Sequence, residues 1–165
     1  MPRLALAAVS LAFLVTACQP ARTELTDAEK AEIERAVIQA YQGYWNAWSA
    51  QESVDDYMGY YHDWAVSPLA GYESIKAVRS DALESWAYYR RWEVELGETR
   101  VLVLGPDVAV LEGASVSVVT DITGIVVEWT QRANWVWVLR DGQWKIVTGG
   151  FPLSRQRPLA GSNPL

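Results

Sequence analysis

Few side chains in this sequence are equipped for reaction chemistry. His62 is the single histidine, and Asp63 follows it. An imidazole beside a carboxylate can take or give a proton near neutral pH. Tyr41 and Tyr44 stand three apart in a stretch of helical periodicity. A phenol there can donate to a ligand carbonyl, or bond a backbone carbonyl within a core. His62, Asp63, Tyr41 and Tyr44 are therefore the candidate catalytic residues, with Asp55, Asp56 and Glu73 as further carboxylates near the same segment. Each also has an ordinary structural use: a hydrogen-bonded histidine beside a strand, an aspartate bonding a turn amide, a tyrosine in a helix core. One Cys and one His exclude a disulfide framework and a multi-histidine or Cys/His metal centre. No cofactor is expected.

The rest of the composition narrows the partners. The chain has 165 residues and a net charge of −6, with no cluster of cations to displace counterions from a phosphate backbone, so nucleic acid is not an expected partner. Nine Trp and eight Tyr against two Phe mean that most large rings carry a polar edge in need of a partner when buried.

These residues must be positioned by a helical first half and a stranded second half. Thr26 to Glu29 reads as a capping box, and Ile33, Val37, Ala40 with Tyr41, Tyr44 and Trp48 continue one helical stripe. A short helix is expected over 54–61. A third is expected over about 73–89, with Ile75, Val78, Ala82, Leu83 and Trp86 on one face. Between them Trp64 to Ser67 reads as a strand closed by a turn at Pro68 to Gly71. After Arg91, β-branched and aromatic residues alternate between turn signals, predicting four meandering strands near 92–104, 108–120, 125–140 and 143–151. Helices followed by an antiparallel sheet make the fold class α+β. Residues 152–165, with three Pro, read as a flexible tail.

Strand phasing sorts the second half into two faces. A two-residue hairpin at Asp141–Gly142 opposes Arg140 with Gln143 and Trp137 with Ile146. Trp129, Gln131, Ala133, Trp135, Trp137, Leu139, Trp144, Ile146, Thr148 and Gly150 then share one side. Across a five-residue loop, Ala109, Leu111, Gly113, Ser115 and Ser117 join them. Glu112, Glu128, Arg132, Asn134, Val136, Val138, Lys145, Val147 and Arg100 take the other side. Ser115, Ser117 and Gln131 are polar amid apolar strands, so they either bond one another or face a wet or ligand-filled cavity.

Several short phrases carry a resemblance: Tyr44-Trp45-Asn46-Ala47-Trp48, Tyr61-His62-Asp63, Gly71-Tyr72-Glu73-Ser74-Ile75, and Trp135-Val136-Trp137 followed by Arg140 to Val147. In this order and spacing, over about residues 26–151, the chain resembles the NTF2-like superfamily, and within it the SnoaL-like or DUF4440-type domains. The resemblance implies an NTF2-like (cystatin-like) cone, in which a curved sheet folds against a long helix and the ring-rich side faces a pocket. It also implies relatives as diverse as isomerases, cyclases, dehydratases and oligomerisation domains, so fold does not fix function. The family often continues the last strand with a histidine, whereas Thr148-Gly149-Gly150 stands here. The expected role is binding a small, mostly apolar ligand through Tyr41, Tyr44, Trp48, His62, Ser115, Gln131 and Trp135. An acid–base isomerase, cyclase or hydratase, and a dimerising interaction module with a filled pocket, are the alternatives. In relatives the convex sheet face commonly pairs, which implies a homodimer.

The amino terminus reads as an export signal over 1–17: Arg3, then a short apolar run from Leu4 to Val15. That run falls below the roughly 20 residues a spanning helix needs. Val15-Thr16-Ala17-Cys18 resembles the lipobox of bacterial lipoproteins, which implies lipidation at Cys18, a tether over 18–26 and a domain over 27–151. Acyl chains at about 0.8 kcal/mol per buried methylene suffice as an anchor. The absence of Asp after Cys18 implies, by the same resemblance, the outer membrane facing the periplasm.

Overall fold

A computed structural model describes residues 24–66 and 73–159. Cys18, the export signal, Ser67 and the expected turn at Pro68 to Gly71 lie outside the described residues, as does the end of the expected tail. Helix α1 spans Asp27–Ala50 and opens on the capping box: the Thr26 hydroxyl accepts from the Glu29 amide, and the Glu29 carboxylate accepts from the Thr26 amide. It buries Val37, Tyr41, Tyr44, Trp45 and Trp48 and ends at Gln51 in the left-handed region. Helix α2 (Val54–Met58) is capped by Ser53 and is shorter than the 54–61 expected. Strand β1 (Tyr61–Val66) begins three residues earlier than expected. Helix α3 (Ile75–Tyr88) runs from its Ser74 cap directly into β2 (Tyr89–Gly105). Strands β3 (Val108–Asp121), β4 (Val126–Arg140) and β5 (Gln143–Pro158) complete the chain.

The five strands form one sheet in the order β1-β5-β4-β3-β2. Strands β2 to β5 are the antiparallel meander that the turn signals predict. Strand β1 joins parallel to β5, pairing Tyr61 with Ile146 and Val66 with Thr148. The Asp141–Gly142 turn has positive φ at both residues and fixes Arg140 opposite Gln143, so the expected phasing holds along β4 and β3. Ala109, Leu111, Ser115, Ser117, Gln131, Ala133, Trp135 and Trp137 are all buried. Glu112 faces outward and pairs with Arg132 at 2.9 Å, while Glu128 pairs with Arg157 at 2.8 Å.

Strand β5 departs from expectation twice. Val136 pairs with Thr148 but Trp137 pairs with Ile146, so Val147 is an extra residue in β5, and it is buried instead of taking the outer face expected for it. A bulge of one residue reverses the parity beyond it. Thr148 therefore turns to the outer face, and Gly149, not Gly150, lies opposite Trp135. Gly149 has φ of 137°, and a Cβ there would collide with the Asn134 carbonyl oxygen and the Trp135 ring. The second departure is length. The strand continues to Pro158, pairing with β4 as far as Val127, where a loose tail was expected from 152. Pro152 falls within a second irregularity between the Asn134–Gly150 and Arg132–Leu153 pairs, where a missing amide breaks no regular ladder bond.

Candidate functional site

The concave side of the sheet and the three helices enclose a cavity of about 200 Å³. Helix α1 contributes Tyr44, Trp45 and Trp48, because positions three and four apart share the face turned to the sheet. Tyr57 comes from α2, Tyr61 from β1, and Val78, Asp81 and Ser85 from α3. The sheet supplies Trp92 from β2, Trp129, Gln131 and Trp135 from β4, and Phe151 from β5. Nine of the thirteen lining residues are aromatic. The rings brace one another edge to face: Trp48 on Trp92 at 5.1 Å, Trp92 on Trp129 at 5.1 Å, and Trp135 on Phe151 at 5.4 Å.

At one end of the cavity three phenols meet. The Tyr44 and Tyr57 hydroxyls lie 3.3 Å apart, those of Tyr57 and Tyr61 3.0 Å, and Tyr61 donates to Tyr44 at 3.4 Å. Burial, and then the proximity of the other phenols, pushes Tyr44 and Tyr57 well above the ordinary tyrosine value. Burial also raises Tyr61 against the hydrogen bonds from its two neighbours, with the Asp81 charge adding to the rise. The triad is therefore neutral, a set of hydrogen-bond donors and not bases. Asp81 is half-buried and lines both the cavity and the shallow groove on the outer side of α3, which places it at the mouth. Among the described residues it makes no ion pair. The cavity wall holds no Lys or Arg.

The structure separates the expected site residues. Tyr44, Trp48, Gln131 and Trp135 line the cavity; Tyr41, His62, Asp63 and Ser115 do not. Tyr61 points inward, so its neighbour His62 turns out, where it contacts Asp63 and lies 4.6 Å from the Trp64 ring. Asp63 is exposed. The expected imidazole and carboxylate base thus sits on the edge strand, away from the phenols of the cavity. Tyr41 is fully buried with its hydroxyl against Gly113, the position where a Cβ would come within 2.9 Å of it. Ser115 pairs with Gln131 across β3 and β4, yet the Ser115, Ser117 and Gln131 Oε1 atoms are buried without a hydrogen-bond partner, so the mutual bonding weighed from sequence is not made. Leu83, expected on the inner stripe of α3, is exposed.

Asp81 and Ser85 escaped the sequence reading. Their signal was the spacing Val78, Asp81, Ala82, Ser85, a helical face that runs through two polar residues and was read only through its apolar members. Trp45, Tyr57, Trp92 and Phe151 were missed as well. Trp45 is hidden by the width of the α1 stripe, and Phe151 by the reversal of parity in β5. Among the described residues no group of His, Cys, Asp and Glu stands together to hold a metal ion, and no helix is long and apolar enough to cross a membrane.

No family model matches the sequence, and no curated protein matches it. Solved structures do. The dehydrochlorinase LinA is 16% identical with a TM-score of 0.71, over 83% of this chain and 96% of that one. Hexachlorocyclohexane dehydrochlorinase LinA-type3 from Novosphingobium barchaimii is 15% identical with a TM-score of 0.67, over 82% and 96%. A scytalone dehydratase-like protein from Novosphingobium aromaticivorans is 13% identical with a TM-score of 0.71, over 86% and 97%. At these identities the likeness is one of fold. The three helices and the curved five-stranded sheet form an NTF2-like cone.

Proposed function

We propose that this domain binds a small, mostly apolar molecule of about one ring in its cone. The observation that carries the reading is the cavity itself: about 200 Å³, walled by nine aromatic residues, with few polar groups beyond the phenol triad, Asp81, Ser85, Gln131 and the indole N–H groups, of which those of Trp45, Trp48, Trp92 and Trp135 are buried without a partner. Ligand sites of this kind are apolar with a few directed polar groups. The volume is below the roughly 300 Å³ at which drug-sized pockets begin, but a dry cavity of about 150 Å³ takes up benzene. A second reading rests on one observation. Asp81 and the neutral phenols share a wall, so a carboxylate base and a proton donor could act on one substrate as in an isomerase, cyclase or hydratase. His62 and Asp63 have no part in it.

The same proposal places the chain in a bacterial envelope, anchored by lipid at Cys18 and facing the periplasm, supported by the lipobox-like sequence. It also makes the domain a homodimer through the outer sheet face. There Leu102 and Leu104 are 63% and 59% exposed, beside Val110, Val136 and the Arg132–Glu112 pair. Native mass spectrometry of the full chain, released in detergent from its host membrane, tests these points together. The expected result is a lipid-modified dimer carrying a small-molecule mass. An empty, unmodified monomer that takes up no single-ring compound would refute the binding, anchoring and pairing readings alike.

A further inference from the structure

The charge and ring inventory of the cavity narrows the ligand class. Among the described residues Asp81 is the only charged side chain in the wall; the cation of the adjoining groove, Lys76, lies on the outer side of α3. Arg79, one turn from Ile75 on the same helix, is occupied by Asp55 at 2.6 Å. Among the described residues Asp81 therefore has no counter-charge, although it is half-buried; burial foremost, with the Asp81 charge adding, raises the pKa of Tyr61 and Tyr89. An apolar neutral ligand would cover that carboxylate without compensating it. Covering a charge without a partner is unfavourable, and the cost grows as water is excluded.

An aromatic enclosure is not electrically neutral either. Ring faces are electron-rich, and a cation against the faces of Trp, Tyr or Phe is attracted by their quadrupoles, most strongly where water is excluded. Trp48, Trp92, Trp129 and Trp135 stand in this wall with the tyrosines, and no Lys or Arg supplies a guest of the protein's own. The combination of an indole-rich box and one unpaired carboxylate at its mouth is the chemistry that recognises a small organic cation. We infer that the cavity takes a compact alkylammonium ion, its methyl or ring carbons among the indoles and its charge compensated by Asp81. The inference rests on the small-molecule binding reading and sharpens it. A tetra-alkylated nitrogen suits the site best, because it presents mostly apolar surface and needs no hydrogen-bond acceptors inside.

Choline and its uncharged carbon analogue 3,3-dimethyl-1-butanol have nearly the same shape and differ in charge, so they isolate the effect. Tryptophan fluorescence of the purified full chain, titrated with each and with toluene, is the measurement. The expected result is that choline binds about tenfold or more tightly than the analogue, and that Asp81→Asn brings the ratio of the two close to one while Asp81→Glu preserves it. Equal affinity of choline and the analogue, or binding of toluene alone, would overturn the cation inference and leave the cavity reading standing. Failure of all three probes to bind would overturn both. Circular dichroism of each variant separates loss of binding from loss of fold.

Discussion

Alkaline pH should dismantle this domain in a way that reports on the phenol triad. In the folded protein burial holds Tyr44, Tyr57 and Tyr61 protonated above the ordinary tyrosine value. The unfolded chain has no such burial, so there the same residues ionise near the ordinary value of about 10. Above that pH the unfolded state releases protons that the folded state keeps, and the balance shifts toward unfolding. The stabilising contribution of a raised tyrosine is complete below about pH 10 and is lost as the pH climbs toward its folded value. Between its unfolded and folded pKa each such group removes up to about 1.4 kcal/mol per pH unit, so three together remove at most about 4 kcal/mol per unit. Against a typical stability of about 5–15 kcal/mol, one to two units above 10 exhaust a domain at the lower end of that range. Urea unfolding followed by circular dichroism from about pH 8 to about pH 11 gives the slope, and near-ultraviolet absorbance of tyrosinate gives the ionisation. Tyr57→Phe removes one phenol and should flatten the slope by about a third. If these three phenols ionise near pH 10 in a chain that stays folded, or if stability is flat across the range, the burial argument is wrong.

Two further predictions concern the scaffold. Gly149→Ala should cost about 3 kcal/mol or more, since the new Cβ meets the Asn134 carbonyl oxygen and the Trp135 ring at a φ of 137°; a melting temperature within a degree or two of the parent would contradict it. Asp121 closes the loop between β3 and β4 by accepting from the Thr123 hydroxyl and the Thr123 and Ile125 amides, with Tyr88 donating to its other oxygen. The Thr123 hydroxyl foremost, with the amides and Tyr88, holds its carboxyl below the usual range. Its contribution is present above the unfolded pKa and vanishes as pH falls through the folded one. Asp121→Asn should therefore be less stable than the parent at neutral pH, with the gap closing in acid; a gap independent of pH would count against this role.

What could be read from sequence followed from local rules. The capping box fixed the start of α1, and a two-residue Asp-Gly turn fixed the register of β4 against β5 and through it the inward face of β3. The outward turn of Glu112 and Glu128 came with it. What stayed hidden was non-local. The bulge at Val147 has no single-residue signature, and one inserted residue inverts the side chains that follow it, as far as the second irregularity at Pro152. Pro152 and Pro158 marked a tail in composition, yet β4 needed a partner over 127–132 and β5 provides it. Asp81 was overlooked because a carboxylate on a helix reads as solvated surface until the opposing wall is known. His62 drew attention as the single imidazole, but its direction depended on the exact start of β1, which propensity does not fix.

The parallel pairing of β1 with β5 ties a segment made early in synthesis to the last one made. Tyr61 finds its sheet partner Ile146 only after the intervening helix and three strands have emerged. A nascent chain that ends before Gln143 therefore holds an aromatic helix face with one wall of its enclosure missing. Long-range closure of this kind is slow relative to local structure. Such a chain stays open until β5 arrives, which leaves truncated products prone to stick to one another through their bare indoles.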